Sequence, residues 1–125
     1  MTDERHPAAL SRAEAGARAE ALAADFLTAQ GVTIVARNFR TRFGEIDLIG
    51  RDGATLIFVE VRLRRRADFG GAAGSVTPAK QARLKAAAAG YLSRLRREPP
   101  CRFDAVLFDT LDARRIEWVR NAFFD

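Results

Sequence analysis

Polar and apolar positions alternate between two periods along this chain, and the changes of period divide it into seven elements. Ser11-Arg12-Ala13-Glu14 is a capping box: a serine hydroxyl and a glutamate three residues later can satisfy each other's backbone amides. It opens a helix running through Ala17, Glu20, Ala21, Ala24 and Leu27 to a stop at Gly31. Val32-Thr33-Ile34-Val35-Ala36 begins a β-rich run reaching about Arg40, and Thr41-Arg42-Phe43-Gly44 supplies a turn. A second strand is expected over Glu45 to Gly50 and a third from Thr55 to about Leu63. Between them, Asp52-Gly53 suits the positive φ angles of a two-residue hairpin loop. Ala67 to Val76, with Gly70-Gly71 and Gly74, reads as a loop. Thr77 as N-cap and Pro78 in the first turn start a second helix, which carries Leu84, Ala88, Tyr91 and Leu92 toward the Pro99-Pro100 break. Arg102 to Phe108 and Ile116 to Val119 are two further strands around a turn near Leu111-Asp112-Ala113. The order is αβββαββ, an α/β arrangement whose sheet should be mixed and covered by helices. Residues 1 to 10 show no apolar period and are expected to be a flexible N-terminus, with a single domain over residues 11–125.

The hairpin carries the chemistry. With Asp52-Gly53 as its loop, residue 47 pairs with 58 and residue 45 with 60, so Glu45, Asp47, Glu60 and Arg62 share one face of the sheet. Asp47 and Glu60 are then diagonal neighbours about 7–8 Å apart at the backbone, close enough for both carboxylates to reach one cation. The opposite face, Ile46 and Leu48 with Ile57, Val59, Val61 and Leu63, is expected to be core. Unpaired charge on a half-buried face is costly, and two explanations compete. One is a hard-cation site in which Asp47, Glu60 and the backbone carbonyl of Val61 offer oxygen ligands to Mg²⁺ or Mn²⁺. The other is a solvated face laced by cross-strand ion pairs.

Composition narrows the setting. Cys101 is the single cysteine, which excludes an intramolecular disulfide and a cysteine-based zinc site. His6 is the lone histidine, so no triad can be built around it within the folded part. The first residues lack the apolar core of a signal peptide and no apolar run approaches a membrane span, so a cytoplasmic location is expected. The net charge of +5 favours polyanionic partners. Nearly all the positive charge is arginine; Lys80 and Lys85 are the only lysines. Arg64, Arg65 and Arg66 extend the basic end of the third strand into the glycine-rich loop, a cluster suited to a phosphate backbone or, equally, to a solvated charge run. Lys80, at the start of the second helix, is a candidate phosphate contact or a plain surface lysine.

Asp47, a hairpin and then Glu60-Val61-Arg62 resemble the PD-(D/E)xK nuclease superfamily pattern. Gly16-Ala17-Arg18-Ala19-Glu20-Ala21-Leu22-Ala23, Arg37-Asn38, Gly44-Glu45-Ile46-Asp47-Leu48, Phe58-Val59-Glu60-Val61 and Arg102-Phe103-Asp104 more closely resemble the YraN family of small bacterial proteins, over roughly residues 14 to 120. Such families are similar in fold to Holliday junction resolvases. The resemblance implies a restriction-endonuclease-like sheet and metal-dependent hydrolysis of DNA phosphodiesters, structured or branched DNA in repair or recombination included, with a homodimer suggested by analogy. It implies Asp47, Glu60 and Arg62 as the catalytic set, with Glu20 contributing a ligand or holding a bound water. Glu45 is expected to pair with an arginine, and Asp104 with Arg102 or another arginine. Position 62 departs from the pattern, which usually has lysine there. Arginine can stabilise charge on a phosphate but stays protonated and cannot act as a base. The alternative reading is therefore a nucleic-acid-binding module whose catalysis is impaired at Arg62.

Overall fold

A computed structural model describes residues 10–63, 76–111 and 115–123. Helix α1 spans Arg12–Ala29 and α2 spans Pro78–Leu92; the strands are β1 Thr33–Thr41, β2 Gly44–Asp52, β3 Thr55–Leu63, β4 Cys101–Phe108 and β5 Ile116–Val119. The expected order αβββαββ is the one observed. Arg64, Arg65 and Arg66, most of the glycine-rich loop, and the turn residues 112 and 113 lie outside the described residues.

Local signals set the helix ends. Ser11 Oγ accepts from the Glu14 amide at 3.1 Å, and Glu14 Oε1 accepts from the Ser11 amide at 2.8 Å, completing the capping box. Thr77 caps α2 with its hydroxyl, which accepts from the Lys80 amide at 3.1 Å, and Pro78 stands where no amide needs a partner. Gly31 follows α1 with φ of +97°, a conformation that costs glycine little.

The strands form one sheet in the order β1-β2-β3-β4-β5. β3 and β4 pair in parallel and the remaining neighbours are antiparallel, so the sheet is mixed. A parallel pair needs a crossover, and α2 supplies it between β3 and β4. Each face of the sheet carries a helix. Ala19, Ala23, Ala24 and Leu27 of α1 pack on Leu48, Ile57, Val59, Val106 and Phe108. Leu84, Ala87 and Ala88 of α2 pack on Ile49, Leu56 and Phe58 from the other side. Burial on both faces explains why Leu56 to Val59 and Ala105 to Phe108 are continuous apolar runs rather than alternating ones. This α/β/α arrangement is consistent with the restriction-endonuclease-like fold.

The structure corrects the hairpin in one respect. Asp52 pairs with Thr55, leaving Gly53-Ala54 as the two-residue loop, with Gly53 at φ of +62°. A positive φ at the first loop position alone is the type II′ pattern, which needs glycine there and tolerates alanine next. The register therefore moves by two residues, from 47 opposite 58 to Leu48 opposite Val59. A shift of two preserves the faces. Counted on from Leu48↔Val59, where the pairing ends, Asp47 falls level with Glu60 instead of diagonal to it.

The expected core face needs a second correction. Leu48, Ile57 and Val59 do lie under α1, but Ile46 joins the α2 cluster and Leu63 is exposed. Strict alternation would keep Ile46 and Leu48 together, so the backbone must depart from it at Asp47. The β1–β2 register keeps its count from Arg37↔Leu48 to Phe39↔Ile46 but leaves Asn38 and Asp47 between them unpaired; its one shift lies between Ile34 and Ala36. Asn38 has φ of 51°, the left-handed region that asparagine enters more readily than most residues.

Candidate functional site

That irregularity frees the Asp47 carboxylate from the sheet surface. The regular β2–β3 register ends at Leu48↔Val59, and the Val61 amide donates to Asp47 Oδ2 at 2.8 Å. A side chain thus takes the hydrogen bond of a backbone rung, which fixes Asp47 beside Glu60. The two carboxylates face a cleft of about 460 Å³ between the first half of α1, the ends of β2 and β3, and the first turn of α2. Glu20, Asp47, Glu60, Arg62 and Lys80 all line it. Gly16, one turn before Glu20, also faces the cleft, and the space where a Cβ would stand is open.

Glu60 is the most constrained member. It is only 3% exposed, and burial pushes its carboxyl up to about 7, with the nearby Asp47 charge acting in the same direction and Lys80 opposing both. Lys80 Nζ stands 3.2 Å from Glu60 Oε2, whereas Arg62 Nη1 stands 3.8 Å from the same oxygen. Glu20 is also raised, first by burial and then by Asp47, while a hydrogen bond from Asn38 lowers it. The Asp47 charge thus adds to burial in raising both Glu20 and Glu60 at the mouth of one cleft. Such excess negative charge in a desolvated place is relieved by a proton or a cation.

The oxygen donors here suit a hard cation: Asp47, Glu60, the Val61 carbonyl and, from α1, Glu20. Among the described residues no group of three or more histidine, cysteine, aspartate or glutamate side chains is already arranged to enclose one. The donor chemistry fits Mg²⁺ or Mn²⁺, provided that backbone carbonyl and water oxygens complete the shell.

The remaining candidates separate cleanly. Glu45 shares a parity with Asp47 but lies outside the cleft, exposed beside the β1–β2 turn, in an ion pair with Arg40 whose Nε stands 3.0 Å from its Oε1. The expected arginine partner is thus found. Asp104 is fully buried on β4 and binds Arg102 Nε at 2.8 Å; its oxygens also accept from Trp118 Nε1 at 2.9 Å and the Asn121 amide at 2.9 Å. With every lone pair occupied it is a structural knot at the opposite side of the sheet's centre, and Arg102 also reaches Asp52 at 3.2 Å. Asn38 was not among the candidates. Its signal was the Arg37-Asn38 pair in the family-like pattern, which spacing alone could not assign to the site.

Residues 19–108 match the uncharacterised protein family UPF0102, a span that includes Glu20, Asp47, Glu60, Arg62 and Lys80. The chain belongs to the UPF0102 (YraN) family. A UPF0102 protein of Nitrosospira multiformis is 55% identical over 108 residues, covering 86% of this chain and 91% of that one. One from Alkalilimnicola ehrlichii is 48% identical over 125 residues, covering 98% of this chain and 97% of its own length. A third, from Methylobacillus flagellatus, is 52% identical over 108 residues and 95% of its length. The UPF0102 likeness thus extends across both helices and the whole hairpin that build the cleft.

Proposed function

We propose that this UPF0102 protein is a metal-assisted phosphodiesterase acting on DNA, with the cleft between α1, the β2–β3 hairpin and α2 as its active site. The observation that carries the reading is the meeting of Asp47 and Glu60 with an ammonium group, Lys80 Nζ, 3.2 Å from Glu60. Two carboxylates with a neighbouring cation are the combination that holds a hard metal and a phosphate side by side. Asp47, Glu60 and the Val61 carbonyl would hold Mg²⁺ or Mn²⁺, and Glu20 would hold it or a water. When bound, the ion would neutralise charge on the phosphate and make water more acidic.

The protein's own groups divide the remaining work. Asp47 is oriented by the Val61 amide, which holds it in the cleft without an ordering cost at the moment of reaction. Glu20, with its proton affinity raised by burial and by Asp47, lines the same cleft and would be the group to accept a proton from water there. Arg62 stays charged and acts on the phosphate as a fixed cation. Lys80 answers the departure at position 62: the lysine that the strand lacks is supplied by the first turn of α2.

The test is a cleavage panel on labelled linear and branched DNA with Mg²⁺ or Mn²⁺. The wild type should cut, and Asp47→Ala, Glu60→Ala and Lys80→Ala should each lose about a hundredfold or more, the scale on which single charge-stabilising groups act. Cleavage that survives both carboxylate substitutions would sink the proposal. The impaired-module alternative predicts binding without cutting, with activity appearing only in Arg62→Lys.

A further inference from the structure

The turn joining β1 to β2 is built unlike an ordinary surface turn. Its two residues are Arg42 and Phe43, and the Phe43 ring is 61% exposed. A lone exposed aromatic means little by itself, since apolar atoms make up much of any protein surface. What distinguishes Phe43 is how rigidly it is held and what surrounds it.

Thr41 Oγ1 accepts from the Phe43 amide at 3.1 Å and the Gly44 amide at 3.2 Å, and donates to the Gly44 carbonyl at 3.1 Å. One hydroxyl therefore ties the whole turn. Gly44 then lies so close to α2 that a Cβ on it would stand 2.4 Å from the Arg83 carbonyl oxygen. The turn is clamped against the helix that carries Lys80. Around it is a second hollow of about 380 Å³, lined by Arg40, Arg42, Phe43, Lys80 and Arg83 among others. Lys80 lines this hollow and the carboxylate cleft alike, so the two adjoin. Among the described residues, the one carboxylate lining the hollow is Glu45, and it is held by Arg40. Arg42 lays its guanidinium over the Phe43 ring at 5.1 Å from the centroid. Among the described residues, Arg42 and Arg83 have no carboxylate within ion-pair distance.

We infer that the Arg42-Phe43 turn is a base-stacking platform that seats an unpaired nucleotide of single-stranded or branched DNA, with Arg83 and Arg42 on its phosphates, and leads the adjoining backbone past Lys80 to the carboxylate cleft. This rests on the phosphodiesterase reading and adds the substrate class. A fixed aromatic ring flanked by cations is the arrangement that binds unpaired bases, because every base has a π-face while the phosphates supply charge. Fully paired DNA has no free base face to offer, so the platform would prefer unpaired segments. Preordering by Thr41 and Gly44 removes most of the loop-ordering cost of binding.

Fluorescence anisotropy in EDTA, where cutting is absent, tests this with a labelled oligothymidine strand and a blunt duplex of equal length. Phe43→Ala should weaken binding to the single strand about tenfold, the usual scale for losing one stacked base, and change duplex binding less than twofold. Phe43→Trp should retain or tighten single-strand binding. Arg83→Ala should weaken both probes and flatten the salt dependence. Equal losses on the two probes, or none, in Phe43→Ala overturn the platform, as does a wild type that binds neither. A wild type that binds the single strand through Phe43 yet never cuts DNA supports the platform while refuting the phosphodiesterase. One that cuts while Phe43→Ala binds normally does the reverse.

Discussion

Replacing Glu60 by glutamine should make stability depend on pH in a way that isolates this one carboxyl. In the folded protein the group is raised from 4.5 to about 7, chiefly by burial and secondly by Asp47. Below pH 4.5 it is protonated whether the chain is folded or not, and it imposes no charge-burial cost. Between 4.5 and 7 the unfolded chain releases the proton and the folded chain keeps it, so stability falls as pH rises. Above 7 the full cost is present. Raising the carboxyl from 4.5 to about 7 amounts to roughly 3 kcal/mol, at about 1.4 kcal/mol per tenfold change in proton affinity. Glu20 contributes a slope of the same sign, but its causes are burial and Asp47, so it persists in the variant and cancels in the difference. Urea unfolding in EDTA at intervals from pH 4.5 to 8 would give the stability of Glu60→Gln minus that of the wild type. The difference should climb by about 3 kcal/mol across the range. Adding Mn²⁺ at pH 8 should then raise the wild type alone, because only the intact carboxylate pair gains from a cation. A difference that stays flat with pH would refute the account of Glu60 as a buried carboxyl held up by its surroundings.

Two further substitutions test how the site is supported. Asp104→Asn removes the charge that Arg102, Trp118 and Asn121 all address, and should cost about 3 kcal/mol in urea unfolding, near the lower end for breaking a buried pair, without altering affinity for divalent ions. Gly44→Ala places a methyl against the Arg83 backbone and should lower stability by about 1 to 3 kcal/mol, while the distant Gly53→Ala acts only through its positive φ.

The fold was legible because its signals are local. Ser11 with Glu14, Thr77 with Pro78, and Gly53 in the hairpin each act within four residues, and the structure honours all of them. Register was less secure, since Asp-Gly and Gly-Ala loops fit the same letters and only the packing of β3 on both neighbours decides between them. Side-chain parity survived because the difference is two residues, an even number. The alternation rule failed at Ile46 and Asp47 for a physical reason: a left-handed Asn38 and a missing rung next to it cannot be seen in a pattern of apolar letters. It failed at the residues that form the cleft, where a regular sheet would have pointed Asp47 with Ile49, toward α2 and away from Glu20.

Lys80 shows the limit of reading a site along one strand. Spacing can compare position 62 with the lysine usually found two residues after the glutamate, and there it finds arginine. It has no means of noticing that a helix starting at Pro78, fifteen residues beyond the end of β3, returns across the sheet to set its first-turn lysine against the same glutamate. The ammonium lies nearer to Glu60 than the guanidinium does, at 3.2 Å against 3.8 Å. Arg62 and Lys80 should therefore not be interchangeable. Arg62→Lys leaves a charge in place and should change cleavage by less than Lys80→Ala, which strips the buried carboxylate of its closer cation. Were Arg62→Lys instead to raise cleavage many-fold while Lys80→Ala left it unaltered, the lysine on α2 would be a structural counter-ion and the chemistry would have to be sought from β3 alone.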